Sequence, residues 1–133
     1  MLKILLVDDD VSLRATYSDA LRMAGLDVSE AGDGAIALAM TERTAFDVIV
    51  TDLLMPNMDG IELLMALRGA AVTTPVIVLT GGIGDRFGRR DRLTEPCLAA
   101  ARLLGAVRTL QKPLPPSALT TEIEALSLRS GAA

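Results

Sequence analysis

The strongest constraint on the fold is a repeated alternation of short apolar runs with segments of helical periodicity. Each run has the length of a β-strand, and the segment that follows it places apolar residues on one face of a helix. The runs are continuous rather than alternating, which is typical of parallel strands buried on both faces. The pattern predicts an α/β fold, a parallel sheet with helices on both sides. The predicted strands are Leu2–Val7, Leu26–Glu30, Asp47–Thr51, Pro75–Thr80 and Ala106–Leu110.

Five helices are predicted around these strands. In the first, Leu13, Tyr17 and Leu21 recur at helical spacing and share one face. Ser12 is the expected N-cap of this helix, and Gly25 is the expected left-handed residue at its end. The other helices are predicted over Gly34–Arg43, Gly60–Arg68, Thr94–Leu104 and Ser117–Leu128.

Composition removes several classes of function. The chain has 133 residues, half of them hydrophobic, and we expect one domain over residues 1–129 with a frayed tail at 130–133. It has no histidine, which excludes Ser-His-Asp catalysis and histidine-ligated zinc, and its one cysteine, Cys97, allows no intramolecular disulfide. A net charge of −4 argues against direct nucleic-acid binding. No apolar run approaches the roughly 18 residues of a membrane span, so we expect a cytoplasmic protein.

Polar residues follow the predicted strands at the edge where open parallel sheets bind ligands. Asp8, Asp9 and Asp10 follow the first strand, and Asp52 follows the third. Thr80 closes the fourth strand, and Lys112 follows the fifth. Carboxylates that converge in one pocket repel each other, so the cluster either raises a pKa or holds a divalent cation, and oxygen ligands alone favour Mg²⁺. An aspartate in this setting is suited to accept a phosphoryl group.

Four motifs resemble the receiver domain of two-component response regulators, in particular the stand-alone, single-domain receivers of the chemotaxis type. The element Asp-x-x-Met-Pro-x-Met-Asp-Gly, with a Lys-Pro pair downstream, is highly specific for this family, and the similarity covers nearly the whole chain. The resemblance implies a flavodoxin-like, doubly wound, five-stranded sheet with strand order 2-1-3-4-5. The motifs are Ile4–Asp10, Asp52–Gly60, Val76–Thr80 and Gln111–Pro113.

The resemblance also implies a role for each polar residue at this edge. Asp52 would accept a phosphoryl group from a sensor histidine kinase or a histidine phosphotransfer protein. Asp9 would bind Mg²⁺ directly and Asp8 would bind it through water. Thr80 and Lys112 would contact the phosphoryl oxygens. The complete implied metal set is Asp8, Asp9, Asp52 and the backbone carbonyl of Leu54.

Two further implications concern the ends of neighbouring elements. Asp10 would flank the site and help to begin the first helix. The peptide bond between Lys112 and Pro113 would be cis, as it is in the family.

Three features depart from the family pattern. Receivers usually carry an aromatic residue three positions before the lysine, where this chain has Thr109, and Gly81 replaces the commoner alanine after Thr80. Gly81–Leu93 is a Gly-rich insertion. Because it directly follows Thr80, we hypothesise that phosphorylation repositions it, so that its arginines engage an acidic partner surface or the rim of the phosphorylated pocket. Its basic residues are Arg86, Arg89, Arg90 and Arg92.

The sequence thus predicts a phospho-acceptor signalling switch that assists only its own phosphotransfer and dephosphorylation, not an enzyme acting on other substrates. The chain ends soon after the fifth predicted helix, so output is expected through contact with an unidentified protein or through phosphate relay. A phosphorylation-independent interaction domain is the alternative, favoured by Thr109 and disfavoured by the intact acidic pocket. An aspartyl-phosphate hydrolase is disfavoured because Leu54 stands where its second catalytic aspartate would be.

Overall fold

Five parallel strands form one sheet in the part of the chain that the computed structural model describes, residues 1–55, 57–81 and 99–131. The order is β2-β1-β3-β4-β5, and every neighbouring pair is parallel. This order confirms the one implied by the resemblance. The strands are β1 Lys3–Val7, β2 Asp27–Ala31, β3 Val48–Asp52, β4 Val76–Gly81 and β5 Arg108–Lys112.

The helices follow the predicted positions with small shifts at their ends. Only residues 99–103 of the fourth predicted helix are described, and they are helical, whereas 94–98 lie outside the described residues. Residues 130 and 131 of the predicted tail continue the last helix, and 132–133 also lie outside the description. None of the described helices is long and apolar enough to cross a membrane. The helices are α1 Val11–Met23, α2 Gly34–Arg43, α3 Gly60–Gly69, α4 at 99–103 and α5 Pro116–Gly131.

The start of α1 corrects one expectation. Asp10, not Ser12, is the N-cap, since its carboxylate accepts a hydrogen bond of 3.0 Å from the Leu13 N–H. Ser12 lies inside the helix, where its backbone carbonyl accepts from the Thr16 hydroxyl at 3.0 Å. The helix begins earlier because the chain turns directly after β1. Gly25 has the expected left-handed conformation, with φ of 88°.

The sheet separates two apolar layers, because successive residues of buried strands face opposite sides. On one side Leu5, Ile49 and Val78 pack with α2 and α3. On the other side Ile4, Val50 and Ile77 pack with α1 and α5. The predicted arrangement of helices on both faces is therefore confirmed, and the polar residues at the carboxyl ends of the strands have a rigid base.

Strand β5 begins two residues later than predicted. Ala106 serves the preceding turn, since its N–H donates to the Ala101 carbonyl at 2.9 Å, whereas the Val107 N–H already donates to the Val76 carbonyl of β4 at 2.9 Å. The ladder with β4 therefore starts at Arg108 and ends where Gly81 pairs with Lys112. Lys112 is thus the last residue of the strand and not the second residue beyond it.

The end of α4 is joined to α3 by one arginine. The guanidinium of Arg68 donates to the carbonyls of Leu104 at 3.1 Å and Gly105 at 3.3 Å. It also donates to the carbonyl of Val72 at 2.7 Å. Because Arg68 fills several backbone acceptors at once, it fixes the start of the chain leading into β5.

Candidate functional site

Asp52 is the last residue of the central strand β3, and its side chain lies at the carboxyl edge of the sheet. The residue is only 5% exposed. One carboxylate oxygen, Oδ1, accepts a hydrogen bond of 3.0 Å from the Leu53 N–H. The strand that ends here is buried over its full length, so the Asp52 side chain at its end is also largely shielded from water.

The segment after Asp52 returns to α3 through a tightly packed turn. A Cβ atom on Gly60 would lie 2.5 Å from the backbone carbonyl oxygen of Asp52, so only glycine fits there. Asp59 caps α3 and forms a capping box with Glu62, which fixes the start of the helix. Asn57, with φ of 67°, donates from its side chain to Asp33 at 3.2 Å. This bond joins the turn after β3 to Asp33, the N-cap of α2.

Asp8 and Asp9 lie in the turn between β1 and α1. Asp8 is 1% exposed, and its Oδ1 accepts from the Asp10 N–H at 2.9 Å. Its other oxygen, Oδ2, has no hydrogen-bond partner. Asp9 is half-buried, and one oxygen from each of Asp8, Asp9 and Asp52 lies within 4.8 Å of the others. The structure therefore brings the three predicted carboxylates together.

Lys112 enters the cluster from the end of β5. Its Nζ lies 3.2 Å from Asp52 Oδ2 and 3.6 Å from Asp8 Oδ2, and the residue is 6% exposed. The bond between Lys112 and Pro113 is cis, as the resemblance implied. One buried ammonium thus bridges two buried carboxylates.

Thr80 and Leu54 are predicted site residues for which the structure gives a position near Asp52 but no hydrogen bond to the carboxylate cluster. Thr80 is 4% exposed at the end of β4, between the strands that carry Asp52 and Lys112, and its hydroxyl donates to the Leu110 carbonyl at a long 3.5 Å. Leu54 is half-buried and lies two residues beyond Asp52. Their assigned roles stay predictions.

The residues expected to read out phosphorylation are only partly described. Thr109 is half-buried in β5 and pairs with Val78 of β4. Gly81 belongs to β4, not to an insertion, and has φ of 70°. The rest of the predicted insertion, 82–93, lies outside the described residues, so the hypothesis about its movement stays a prediction.

In the described part of the site, the three carboxylates of Asp8, Asp9 and Asp52 lie near one ammonium group, that of Lys112. Burial raises the pKa of Asp52 from 3.8 to about 6, against the opposing effect of the Lys112 charge. Burial also raises the pKa of Asp8, although its hydrogen bond from the Asp10 N–H and the Lys112 charge both act to lower it. Repulsion between the carboxylates, which the sequence analysis expected, adds to the raised pKa of Asp52 but is smaller than the effect of burial.

The chemistry of the donors fits a hard divalent cation. The three neighbouring side chains offer only carboxylate oxygens, and Asp8 Oδ2 is buried without a hydrogen-bond donor. Such oxygen sets match Mg²⁺, which takes one or two carboxylates and completes its shell with water and phosphate oxygens. The described residues therefore include an acidic cluster that could hold a metal ion.

Two side chains of α1, not predicted from the sequence to belong to the site, donate hydrogen bonds to backbone carbonyls at or near the site residues. The Arg14 guanidinium donates to the Asp8 carbonyl at 2.6 Å, and the Tyr17 hydroxyl donates to the Leu114 carbonyl at 2.9 Å. Tyr17 was placed only on the apolar face of the helix. Neither contact has a local sequence signal, because each partner lies on a different element.

A family model described as the response regulator receiver domain matches residues 4–124. The transcriptional regulatory protein TrcR of Mycobacterium tuberculosis is 36% identical over 117 residues, covering 80% of this chain and 46% of TrcR. PrrA of Mycobacterium leprae is 37% identical over 115 residues, covering 81% of this chain and 49% of PrrA. The chain spans about half the length of these curated relatives.

Solved structures give the same result for the whole fold. The receiver domain of the Francisella response regulator 1452 superposes with a TM-score of 0.82 at 31% identity, covering 98% of this chain and 99% of that one. The chemotaxis protein CheY4 of Vibrio cholerae superposes with a TM-score of 0.79 at 33% identity, covering 95% and 98%. With the family match, these findings show that the chain belongs to the response regulator receiver domains, whose general function is that of a phospho-acceptor signalling switch.

Proposed function

We propose that Asp52 is the phospho-acceptor of this switch and that its donor is a phosphohistidine on a sensor histidine kinase or a histidine phosphotransfer protein. The observation that carries the proposal is the bridge from Lys112 Nζ to Asp52 at 3.2 Å and to Asp8 at 3.6 Å. It places a buried cation beside a buried carboxylate at the edge where parallel sheets bind ligands. With a pKa of about 6, the Asp52 carboxyl is mostly ionised at pH 7 and able to act as a nucleophile.

The transfer step forms one bond and breaks one. A carboxylate oxygen of Asp52 bonds to phosphorus while the phosphorus–nitrogen bond of the phosphohistidine breaks. The electron pair of that bond stays on the ring nitrogen, which leaves as neutral imidazole when the other ring nitrogen carries a proton. The product is an acyl phosphate on Asp52.

The side chains around Asp52 have separate roles in this step. Lys112 neutralises charge on a phosphoryl oxygen once the carboxylate oxygen that it contacts is esterified. The Thr80 hydroxyl exchanges its long contact with Leu110 for a phosphoryl oxygen. Because Gly60 leaves no free space behind the Asp52 backbone, the acceptor stays in place while its charge changes.

The proposed metal is Mg²⁺, which when bound supplies positive charge beside the phosphoryl oxygens. The residues proposed to hold it are Asp8, Asp9, Asp52 and the backbone carbonyl of Leu54. Asp8 Oδ2 supports the assignment, since it is buried, accepts no hydrogen bond and shares the single Lys112 ammonium with Asp52.

The domain acts on itself and passes its signal to another protein. We propose a single receiver domain over residues 1–129 whose output is contact with a downstream protein or relay of the phosphoryl group. A role that does not use phosphorylation is the second candidate, and the observation in its favour is Thr109 at the position where receivers usually carry an aromatic residue. The two candidates differ in whether Asp52 is modified.

Incubation with acetyl phosphate and Mg²⁺, followed by intact mass measurement, tests the proposal. We expect the gain of one phosphoryl group in the wild type, and no gain after Asp52→Asn or in excess EDTA. Asp59→Asn is the matched control, because Asp59 is also a motif aspartate but caps α3, and asparagine caps helices equally well. Phosphorylation that persists in Asp52→Asn, or that is absent from the wild type, would reject the proposal.

A further inference from the structure

The turn that carries Asp8 and Asp9 is held by the guanidinium of Arg14. Arg14 Nη1 donates to the backbone carbonyl of Asp8 at 2.6 Å, and Arg14 Nε donates to Glu30 Oε1 at 3.0 Å. The Arg14 side chain is 17% exposed, so both contacts are largely shielded from water. One planar group therefore connects β2 to the peptide unit between the two aspartates.

Glu30 is itself held in a fixed position. Its second oxygen accepts from the buried Ser18 hydroxyl at 3.1 Å and from Arg22 Nη2 at 3.3 Å. Burial opposes ionisation of Glu30, but the hydrogen bonds from Arg14 and Ser18 outweigh it, and the pKa is lowered. Because the ionised Glu30 carboxylate accepts three hydrogen bonds, it fixes the orientation of the planar Arg14 guanidinium.

The Arg14 contact completes the set of bonds around Asp8. The Asp8 N–H donates to the Ala31 carbonyl at 3.1 Å, and Asp8 Oδ1 accepts from the Asp10 N–H at 2.9 Å. With its carbonyl held by Arg14, the residue keeps only Oδ2 without a hydrogen-bond donor. Rotation of the next peptide unit would move Asp9 as well, so fixing this carbonyl sets the spacing of both carboxylates.

We propose that Arg14 is a positioning residue that presets the acidic cluster for a divalent cation. The inference rests on the proposed Mg²⁺ site and adds the means by which that site is preorganised. The effect is geometric, because Glu30 neutralises the guanidinium and leaves little net charge to act on the cluster. Partners behind metal ligands typically change metal affinity by about 10- to 100-fold when they are removed.

The test is the affinity for Mg²⁺, measured by isothermal titration calorimetry at constant ionic strength. We expect Arg14→Met to bind Mg²⁺ about tenfold more weakly than the wild type. Arg14→Lys keeps the charge but lacks the planar guanidinium that makes both contacts, so its affinity for Mg²⁺ should fall at least about threefold. Arg22→Met is the matched control: it also removes an ion pair to Glu30, but Arg22 is half-exposed and its other contact is the Val28 carbonyl, so binding should stay within about twofold.

Several outcomes would overturn the inference. They are wild-type affinity in Arg14→Met, full recovery in Arg14→Lys, and a loss in Arg22→Met as large as in Arg14→Met. If Arg14→Met does not fold, Glu30→Gln is the variant to use, because it keeps Arg14 and only weakens the contact that orients its guanidinium. It should weaken Mg²⁺ binding by about threefold, and wild-type affinity there would also reject the inference.

The same titration separates this inference from the proposed function. A wild type that shows no Mg²⁺ binding, or an Asp9→Ala variant that binds as well as the wild type, would reject the metal site itself. Binding that needs Asp9 but not Arg14 would reject only the positioning role.

Discussion

Replacing Asp52 with asparagine should stabilise the fold at neutral pH when no divalent cation is present. Burial raises the pKa of this carboxyl to about 6, whereas the unfolded chain keeps the ordinary 3.8. The protonated form therefore favours folding. That contribution is complete below about pH 4 and is lost as the pH rises through about 6. Asparagine cannot ionise and keeps the contribution at every pH.

The size of the effect follows from the two pKa values. Raising a carboxyl pKa from 3.8 to about 6 corresponds to about 3 kcal/mol at pH 7 and to less than about 1 kcal/mol at pH 4. In a domain of this size, about 3 kcal/mol raises Tm by roughly 10 °C. Addition of Mg²⁺ should narrow the difference, because the wild-type carboxylate gains a positive partner.

Urea unfolding in EDTA measures the stability difference between the two proteins at pH 7 and at pH 4. Far-UV circular dichroism is the probe, because the chain has no tryptophan whose fluorescence could report on folding. Asp59→Asn is the control and should change stability by less than roughly 0.5 kcal/mol at either pH, since asparagine keeps the cap. The reasoning is refuted if Asp52→Asn is no more stable than the wild type at pH 7. It is also refuted if the gain is equally large at pH 4.

Three other substitutions test single contacts. Glu30→Gln should destabilise the fold by roughly 1 kcal/mol at pH 7, and the loss should shrink as the pH falls through the lowered pKa of Glu30; urea midpoints across pH 3–7 measure it. Gly60→Ala should destabilise by roughly 2 kcal/mol and slow phosphorylation by acetyl phosphate, because the added Cβ would lie 2.5 Å from the Asp52 carbonyl; an unchanged Tm would contradict this. Tyr17→Phe should lose roughly 1 kcal/mol with its hydrogen bond to Leu114, and calorimetry should show unchanged Mg²⁺ affinity.

The parts of the site that sequence reasoning could predict are those set by strand ends. Asp8, Asp52 and Lys112 each adjoin or end a strand, and the carboxyl ends of parallel strands meet at one edge of the sheet. The strand order was predicted only through the family resemblance, which the motif around Asp52 carries. A raised pKa was expected from repulsion between the carboxylates, whereas burial is its main cause in the structure.

The errors lie at the ends of helices and strands, where the neighbouring turn decides which residue begins the element. Ser12 has the right chemistry for an N-cap, but the cap falls to Asp10 because the chain turns immediately after β1. Ala106 continues an apolar run, yet its N–H belongs to the turn after α4, so β5 begins at Arg108. The role of Arg14 depends on β1 pairing with β2, which no local pattern of residues reveals.

The contacts of Arg68 have a consequence for how sequences of this kind can diverge. At one end Gly81 is paired with Lys112 in the sheet, and at the other Arg68 binds the carbonyls of Leu104 and Gly105. Both anchors belong to the framework that holds the polar edge of the sheet. We therefore expect related proteins to vary in sequence between these anchors without losing the pocket, provided that the buried Ala101 keeps its place in the core. Variation there is then separate from variation at the residues of the pocket.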